Sequence, residues 1–271
     1  MSYFKQLVFI SFLIVTNLIS GISQDQGNIK TREIGFSIGS STIQSRDTRI
    51  SAITKKFRAP TFGFHSRTIK NDFKHEFVFN YTFKSKFDRT QLLDFISHRP
   101  DFYYSLQRKT DFGWIGGHIN LSTLLTFPIS STGHFSNSPI SYTMAATLGP
   151  SVSFDRNLGD SDRWSIAGDA HVGLINYVIR PAFGHPYPDQ FLQPEVFTPT
   201  REGMGPKLLA SGKLKTINKY QSVKVKFGVY YLVDSRVKLG VVGSVDYVNS
   251  KDNYQATYLN QNLAVSASYI Y

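Results

Sequence analysis

The stretch GHFSNS at residues 133–138 contains a histidine and a serine whose spacing suggests attack on an ester. It places His134 two residues before Ser136, and side chains two apart on a strand point to the same face. An imidazole placed in this way can take the hydroxyl proton and activate the serine for attack on an ester. However, the stretch lies between Pro128 and Pro139 in an expected loop, where the shared-face argument fails. A solvated loop is therefore the favoured interpretation.

A second set of residues consists of lysines on the polar faces of predicted strands. A lipid-facing lysine would cost about 2–4 kcal/mol at the membrane midplane, so these lysines are expected to face a lumen. Two interpretations stay open: a narrow pore that prefers anions, and a filled interior in which the lysines pair with carboxylates. Asp169 and Asp246 fall on predicted inner faces and are expected to pair with lysines. The lysines are Lys74, Lys84, Lys86, Lys224, Lys226 and Lys238.

Composition excludes several other classes of function. The chain has 30 Lys and Arg residues against 19 Asp and Glu residues, but it contains no motif that reads DNA or RNA. We therefore expect no nucleic-acid partner. The seven histidines are scattered without metal-ligand spacing. No metal, cofactor or catalytic residue is predicted, and the chain is not expected to be an enzyme.

Residues 1–23 have the pattern of a secretory signal peptide. Lys5 precedes an apolar stretch from Leu7 to Ile19, and Gly21 and Ser23 are small residues before a cleavage site. The apolar stretch is shorter than the roughly 20 residues of a membrane-spanning helix. The chain has no cysteine for a disulfide or a lipid anchor. Residues 24–271 are therefore expected to form the exported domain.

Alternation of apolar and polar residues predicts long β-strands. In residues 72–87 the odd positions are mostly aromatic, and the even positions are charged or small. Such runs exceed the roughly 5–6 residues typical of soluble strands and suit tilted strands that span a bilayer. An exported β-sandwich also alternates, but this chain offers no second set of apolar faces. The sequence therefore predicts an all-β, transmembrane, antiparallel up-and-down β-barrel in the bacterial outer membrane, surrounded by its lipid.

Link lengths predict about ten spanning strands, within a range of about 8–12, because short turns should alternate with long external loops. Short links fall at 70–72, 108–112, 155–163 and 234–236, and long links at 44–57, 88–101, 128–139, after 180 and at 250–258. Ten strands result if 207–217 belongs to a long loop or extends 221–233 above the membrane. The candidate strands are 33–43, 58–70, 73–87, 102–109, 112–127, 140–154, 163–179, 207–217, 221–233, 236–249 and 259–271.

The end of the chain carries a resemblance to a known class of proteins. Alternate residues lead to a terminal aromatic, with a tyrosine two residues earlier: Leu263, Val265, Ala267, Tyr269 and Tyr271. This ending resembles that of bacterial outer-membrane β-barrels. The general residue pattern of the chain resembles that of small barrels of Bacteroidota. The resemblance implies that the barrel-insertion machinery reads this strand during assembly.

Three functional hypotheses follow. The string of His134, Ser136 and Asn137 resembles that of outer-membrane acyl hydrolases of the lipid A deacylase and phospholipase types, which makes an acyl hydrolase the alternative function. The inward lysines favour a narrow channel for an anionic solute. The loop 181–206 holds six of the eleven prolines and favours a closed barrel that presents its loops to a surface partner.

Overall fold

The protein is an almost continuous set of β-strands. The computed structural model describes residues 29–47, 51–86, 94–129, 141–159, 163–180, 212–251 and 255–271. The strands are β1 (Ile29–Asp47), β2 (Ser51–Lys70), β3 (Phe73–Lys86), β4 (Asp94–Thr110), β5 (Gly113–Ile129), β6 (Ser141–Leu158), β7 (Trp164–Gly173), β8 (Ile175–Ile179), β9 (Lys213–Thr216), β10 (Tyr220–Leu232), β11 (Val237–Lys251) and β12 (Gln255–Ile270).

The strands close into a barrel in which sequence neighbours are antiparallel partners. The first and last strands meet, since β1 pairs with β12 from Glu33 opposite Ile270 to Asp47 opposite Ala256. Strand β5 pairs with β6 and completes the ring. The seam is continued by Tyr271, whose N–H donates to the carbonyl oxygen of Arg32 at 2.9 Å. Closure removes the sheet edges along most of the wall, although residues 51–60 of β2 have no described partner in β3.

Four of the twelve strands combine in pairs, and each pair forms a single strand of the barrel wall. Strands β7 and β8 both pair with β6 and are separated by Leu174, so they form one bulged strand. Strand β9 pairs with β8 while β10 pairs with β7, so β9 and β10 form the next wall strand. The predicted ten-stranded barrel is confirmed, and of the two alternatives for 207–217 the described part extends the following strand.

Several strands are longer than predicted. The expected long links 44–57 and 250–258 are wrong, because β1 continues to Asp47, β2 begins at Ser51, β11 continues to Lys251 and β12 begins at Gln255. Strand β4 likewise begins at Asp94 rather than at residue 102. In the extensions of β1, β2, β11 and β12 the described outward residues, such as Gln44, Lys56 and Lys251, are polar, so apolar alternation fades while the backbone ladder continues. The pattern therefore marked the lipid-contacting part of each strand rather than its end.

The links 71–72, 111–112, 159–163 and 233–236 lie at one end of the barrel, which we call the turn rim, and the other end, which has the longest links, is the loop rim. The turn 71–72 contains Asn71 with φ 52°, a left-handed conformation that asparagine tolerates. The turn after β10 is fixed by Asp234, which accepts hydrogen bonds from the backbone N–H groups of Arg236 and Val237 at 2.7 Å each. These two bonds favour the ionised carboxylate and lower the pKa of Asp234.

The wall is apolar outside and polar inside, the reverse of a soluble core. Large apolar side chains such as Phe36, Val241 and Val265 are half or more exposed. Most buried residues are polar or charged. Within the described ranges, no helix is long and apolar enough to cross a bilayer.

The outer face gives a stability prediction. Val241 lies on β11 near mid-height with 52% of its surface exposed, so Val241→Lys should place a charge in lipid. We expect the free energy of unfolding in lipid vesicles to fall by about 2–4 kcal/mol. The control Gln261→Lys, closer to the loop rim, should cost less than about 1 kcal/mol. Equal effects in denaturant titrations would contradict the assignment of the lipid face.

Candidate functional site

The lumen holds the largest concentration of charged side chains in the described structure. Alternation places every second residue of each strand inside, where small residues such as Ser41, Ser105 and Ser151 are almost fully buried. The small residues leave room for long charged side chains to cross the interior. These charged residues form three clusters, ordered from the turn rim to the loop rim.

The cluster nearest the turn rim is centred on Glu33 of β1. Its carboxylate lies 2.6 Å from Arg67 Nη2, 2.7 Å from Lys238 Nζ and 3.5 Å from His65 Nε2. Arg67 also reaches Asp155 at 2.8 Å. Glu33 is 3% exposed, so its charge depends on these partners rather than on water.

The middle cluster joins two carboxylates and two lysines. Glu76 lies 3.7 Å from Lys74 and 3.5 Å from Lys226. Asp169 lies 3.8 Å and 3.9 Å from the same two ammonium groups. Lys74 also donates a hydrogen bond to Ser153 Oγ. The arrangement is a closed square of alternating charge.

A layer of imidazole and phenol rings separates the middle and upper clusters. The Tyr103 hydroxyl lies 2.8 Å from His171 Nδ1, and the ring of His118 lies 5.3 Å from that of His171. His118 Nδ1 lies 3.1 Å from the carbonyl oxygen of Pro150, which can only accept, so Nδ1 carries the proton in this bond. Among the described residues, no group of three or more His, Asp and Glu side chains could hold a metal ion.

The upper cluster contains two further ion pairs. Lys224 Nζ lies 2.5 Å from Asp101 Oδ2, and Arg99 donates to Asp246 Oδ2. The Arg99 guanidinium also stacks 4.4 Å from the centre of the Tyr258 ring. All of these groups except Lys224 are less than a tenth exposed. The cluster therefore fills the lumen below the loop rim.

The ion pairs reach across the full width of the barrel. In the order of ten wall strands, β3 and β10 are opposite one another, as are β4 and β11. Lys226–Glu76 joins the first two strands and Arg99–Asp246 joins the second two. The pairs are therefore cross-braces rather than contacts along one wall.

Charge within the described network balances. Six carboxylates, Glu33, Glu76, Asp101, Asp155, Asp169 and Asp246, pair with six cations, Arg67, Lys74, Arg99, Lys224, Lys226 and Lys238. Because the two signs cancel, the paired groups as a set do not impose a positive potential on the lumen.

A small cavity remains between the middle and upper clusters. It has a volume of about 90 Å³ and is lined by charged residues of both signs together with Asn80, Asn260 and Asn262. Polar cavities of this size hold a few water molecules. Above it, Tyr258 packs with Ile43 and Ala59, and Tyr220 packs with Ala145 and Val178. These two apolar clusters narrow the lumen toward the loop rim.

The structure places the predicted lysines as follows. Lys74, Lys224, Lys226 and Lys238 join the ion pairs described above. Lys84 is half-buried on β3, and the side chain of Lys86 is outside the described residues. The predicted pairing of Asp169 with lysines is confirmed, whereas Asp246 pairs with Arg99 instead.

The proposed terminal signal residues lie on the outside of β12, apart from Tyr271, which directly follows that strand. Leu263, Val265, Ala267, Tyr269 and Tyr271 are all exposed, and the last two rings stack at 6.1 Å. Residues 1–23, His134, Ser136, Asn137 and the loop 181–206 lie outside the described residues. The signal peptide, the terminal signal and the Bacteroidota resemblance stay predictions.

Sequence reasoning did not single out Glu33, Arg67, Arg99 or the Tyr103–His171 pair. Glu76 and Lys74 already shared the even positions of the aromatic β3 pattern, so their common face was readable. Arg99 was missed because it precedes Pro100 in a segment interpreted as a long link. Its inward position follows from the register of β3 and β4, with Thr82 opposite Arg99.

Comparison with known proteins agrees with this geometry. The outer membrane protease OmpT of Escherichia coli matches with a TM-score of 0.53 and 8% identity, over 91% of this chain and 99% of that one. This chain has the fold of a bacterial outer-membrane β-barrel. Its matches also include the translocator domain of the autotransporter NalP of Neisseria meningitidis, at TM-score 0.41, 9% identity and 97% of both chains. No protein-family model and no curated protein sequence matches the chain.

The likeness to OmpT is one of fold alone, so this outer-membrane barrel inherits no activity from it. The attachment invasion locus protein Ail of Yersinia pestis is a further match, at TM-score 0.31 and 13% identity, over 88% of this chain and 98% of that one.

The cross-braces give a prediction about stability. Arg99→Gln should leave Asp246 without its partner, and removing one member of a buried pair costs about 3–5 kcal/mol. Asp246→Asn should cost a similar amount for the converse reason. The double variant should be much less destabilised than the sum of the singles. Unfolding titrations of all four proteins would measure this coupling, and additive losses would contradict a direct pair.

Proposed function

We propose that this chain is a closed, non-enzymatic outer-membrane β-barrel that anchors surface-exposed segments for a partner. The observation that carries this proposal is the set of ion pairs that join opposite walls. Lys226–Glu76 and Arg99–Asp246 cross the lumen at two heights, and a solute would have to separate both pairs to pass. An eight-stranded barrel is just filled by side chains, and ten strands are only slightly wider.

Neutrality of the network supports the closed barrel over a constitutive anion pore. A selective lining needs fixed charge that is not already cancelled by neighbours. Here four of the predicted lysines have carboxylate oxygens within 4 Å, so an incoming anion would compete with those carboxylates. The apolar clusters around Tyr220 and Tyr258 add a second obstruction near the loop rim.

A narrow, anion-preferring channel is the second candidate. It is favoured by the cavity of about 90 Å³, which Lys224 and Lys226 both line. In this alternative the cavity is a wet segment of a pathway, and movement of the cross-braces opens it. The two candidates differ in whether the protein conducts without any change to its side chains.

Single-channel recording distinguishes the candidates. Refolded residues 24–271 in a planar bilayer with a KCl gradient should give no discrete current steps. The quadruple variant Glu76→Ala, Arg99→Ala, Lys226→Ala, Asp246→Ala should give steps, since it removes both cross-braces while leaving the local charge balanced. Val241→Ala on the outer wall is the matched control and should stay silent. Gel mobility before and after boiling would show that each protein is folded.

Steps from the unchanged protein, with a reversal potential that favours chloride, would reject the closed barrel and support the narrow channel. A silent quadruple variant that is folded would show that other groups close the lumen, and would contradict the role given to the two cross-braces.

The absence of enzymatic activity is a separate expectation. Ester release from phospholipid or lipid A by the folded protein should not exceed that of a Ser136→Ala variant, since no acidic or amide group is assigned to orient His134. Turnover that Ser136→Ala abolishes would overturn the non-enzymatic proposal and support the acyl-hydrolase alternative.

A further inference from the structure

The outward face of β1 and β2 changes character toward the loop rim. On β1 the exposed residues Phe36 and Ile38 give way to polar residues and then to the exposed Arg46. On β2 the exposed Phe62 is followed toward the loop rim by the exposed Arg58 and Lys56. These three cations lie on the same outward side as the apolar residues, not in the lumen.

Strand geometry places these cations at the edge of the apolar band. A strand rises about 3.3 Å per residue, and a tilt of about 40° leaves about 2.5 Å per residue along the membrane normal. An apolar band about 25 Å tall then corresponds to about ten residues. Counted from Ile34, the band ends near Gln44, which pairs with Lys56. Arg58 and Arg46 lie about 5 Å to either side of that level.

Pairing brings the three cations together on adjoining strands. Arg58 lies opposite Thr42, and Lys56 lies opposite Gln44, two residues before Arg46. Thr42 and Gln44 therefore stand among the cations and add neutral hydrogen-bond donors. Across the other seam of β1, Gln261 lies opposite Thr42. The result is a polar and cationic surface, which we call the β1–β2 basic patch (Arg46, Lys56 and Arg58).

Carboxylates are scarce near the β1–β2 basic patch. Strands β2 and β12 contain no Asp or Glu, and in β3 the single one, Glu76, is buried in the lumen. In β1 the acids are Glu33, buried in the lumen, and Asp47, whose side chain is outside the described residues. The six cations of the lumen network are paired with carboxylates, whereas the outward cations have no described carboxylate on their own face. Within the described residues, these exposed cations are therefore open to an anionic partner.

We propose that the β1–β2 basic patch binds the phosphate groups of the phosphorylated glycolipid, lipopolysaccharide, of the outer leaflet. Short turns of bacterial barrels face the periplasm, so the loop rim and the patch face this leaflet. Arginine matches phosphate oxygens through paired N–H donors, and lysine supplies a point charge. Both side chains are long enough to reach from the apolar band to the headgroup level.

A binding experiment with purified lipopolysaccharide tests this proposal. Refolded residues 24–271 in neutral detergent would be titrated with the intact lipid and with its dephosphorylated form, and the Kd measured calorimetrically. The triple variant Arg46→Gln, Lys56→Gln, Arg58→Gln should bind the intact lipid at least about tenfold more weakly. Dephosphorylation should weaken binding to the unchanged protein by a similar factor.

Two further variants test whether the position and the charge of the three side chains determine the affinity. The matched control Arg108→Gln, Lys109→Gln, Arg156→Gln removes three exposed cations near the turn rim and should retain full affinity. The charge-conserving variant Arg46→Lys, Lys56→Arg, Arg58→Lys should also bind. Heat-modified gel mobility would show that all variants are folded.

Equal affinity of the triple glutamine variant and the unchanged protein would overturn the proposal. So would equal binding of the dephosphorylated lipid. Displacement of the lipid by millimolar inorganic phosphate would identify a site for a free anion instead. None of these outcomes depends on conductance, so the closed-barrel proposal is tested independently.

Discussion

The requirement that every buried charge in the lumen has a partner governs this structure. Taking a carboxylate or an ammonium out of water costs several kcal/mol, and only close pairing with good geometry offsets that cost. Glu33 shows the constraint most clearly, with Arg67 and Lys238 both within 3 Å of its carboxylate. Since partners come from different strands, pairing fixes the relative position of the walls as well as the charge state of each group.

The same alternation that supplies inward charges supplies the outward apolar band. Shifting a strand such as β10 by one residue would carry Lys224 and Lys226 into lipid and Val225 into the lumen. Both faces therefore specify the same register, one through hydration of charge and the other through contact with lipid. The interruptions in the wall, at Leu174 and between β9 and β10, lie beyond the paired region of β7 and β10. A change in register there separates none of the ion pairs described above.

Much of the architecture could be predicted from the sequence because period-two alternation is a strong signal when both faces are under constraint. Strand β3 illustrates this, since its aromatic and charged faces gave its bounds to within one residue. The extensions of β1 and β2 toward the loop rim could not be predicted, because polar residues there face water on the outside and the pattern loses contrast. The strand that holds Arg99 was shortened for a different reason, since Arg99 precedes Pro100 in a segment that was interpreted as a long link.

The site was predictable only in part. The face on which a side chain lies follows from its own strand, whereas its ion-pair partner depends on other strands. The inward lysines follow from their own strands, but the partner of each depends on which walls come to face each other. That information arises from the strand number and the register of the closed barrel. The exchange of a predicted lysine for Arg99 as the partner of Asp246 is an instance, since β4 and β11 become opposite only in a ring of ten.

The sequence separation of the long-range ion pairs has a consequence for the order of folding. Lys238 and Glu33 are 205 residues apart, Lys226 and Glu76 are 150 apart, and Arg99 and Asp246 are 147 apart. Such pairs cannot form from neighbouring hairpins, and they wait until the first and last strands approach. Interactions that form after the folding transition state chiefly slow unfolding. These ion pairs would then have little influence on how fast the barrel assembles. They would have a large influence on how long it stays closed.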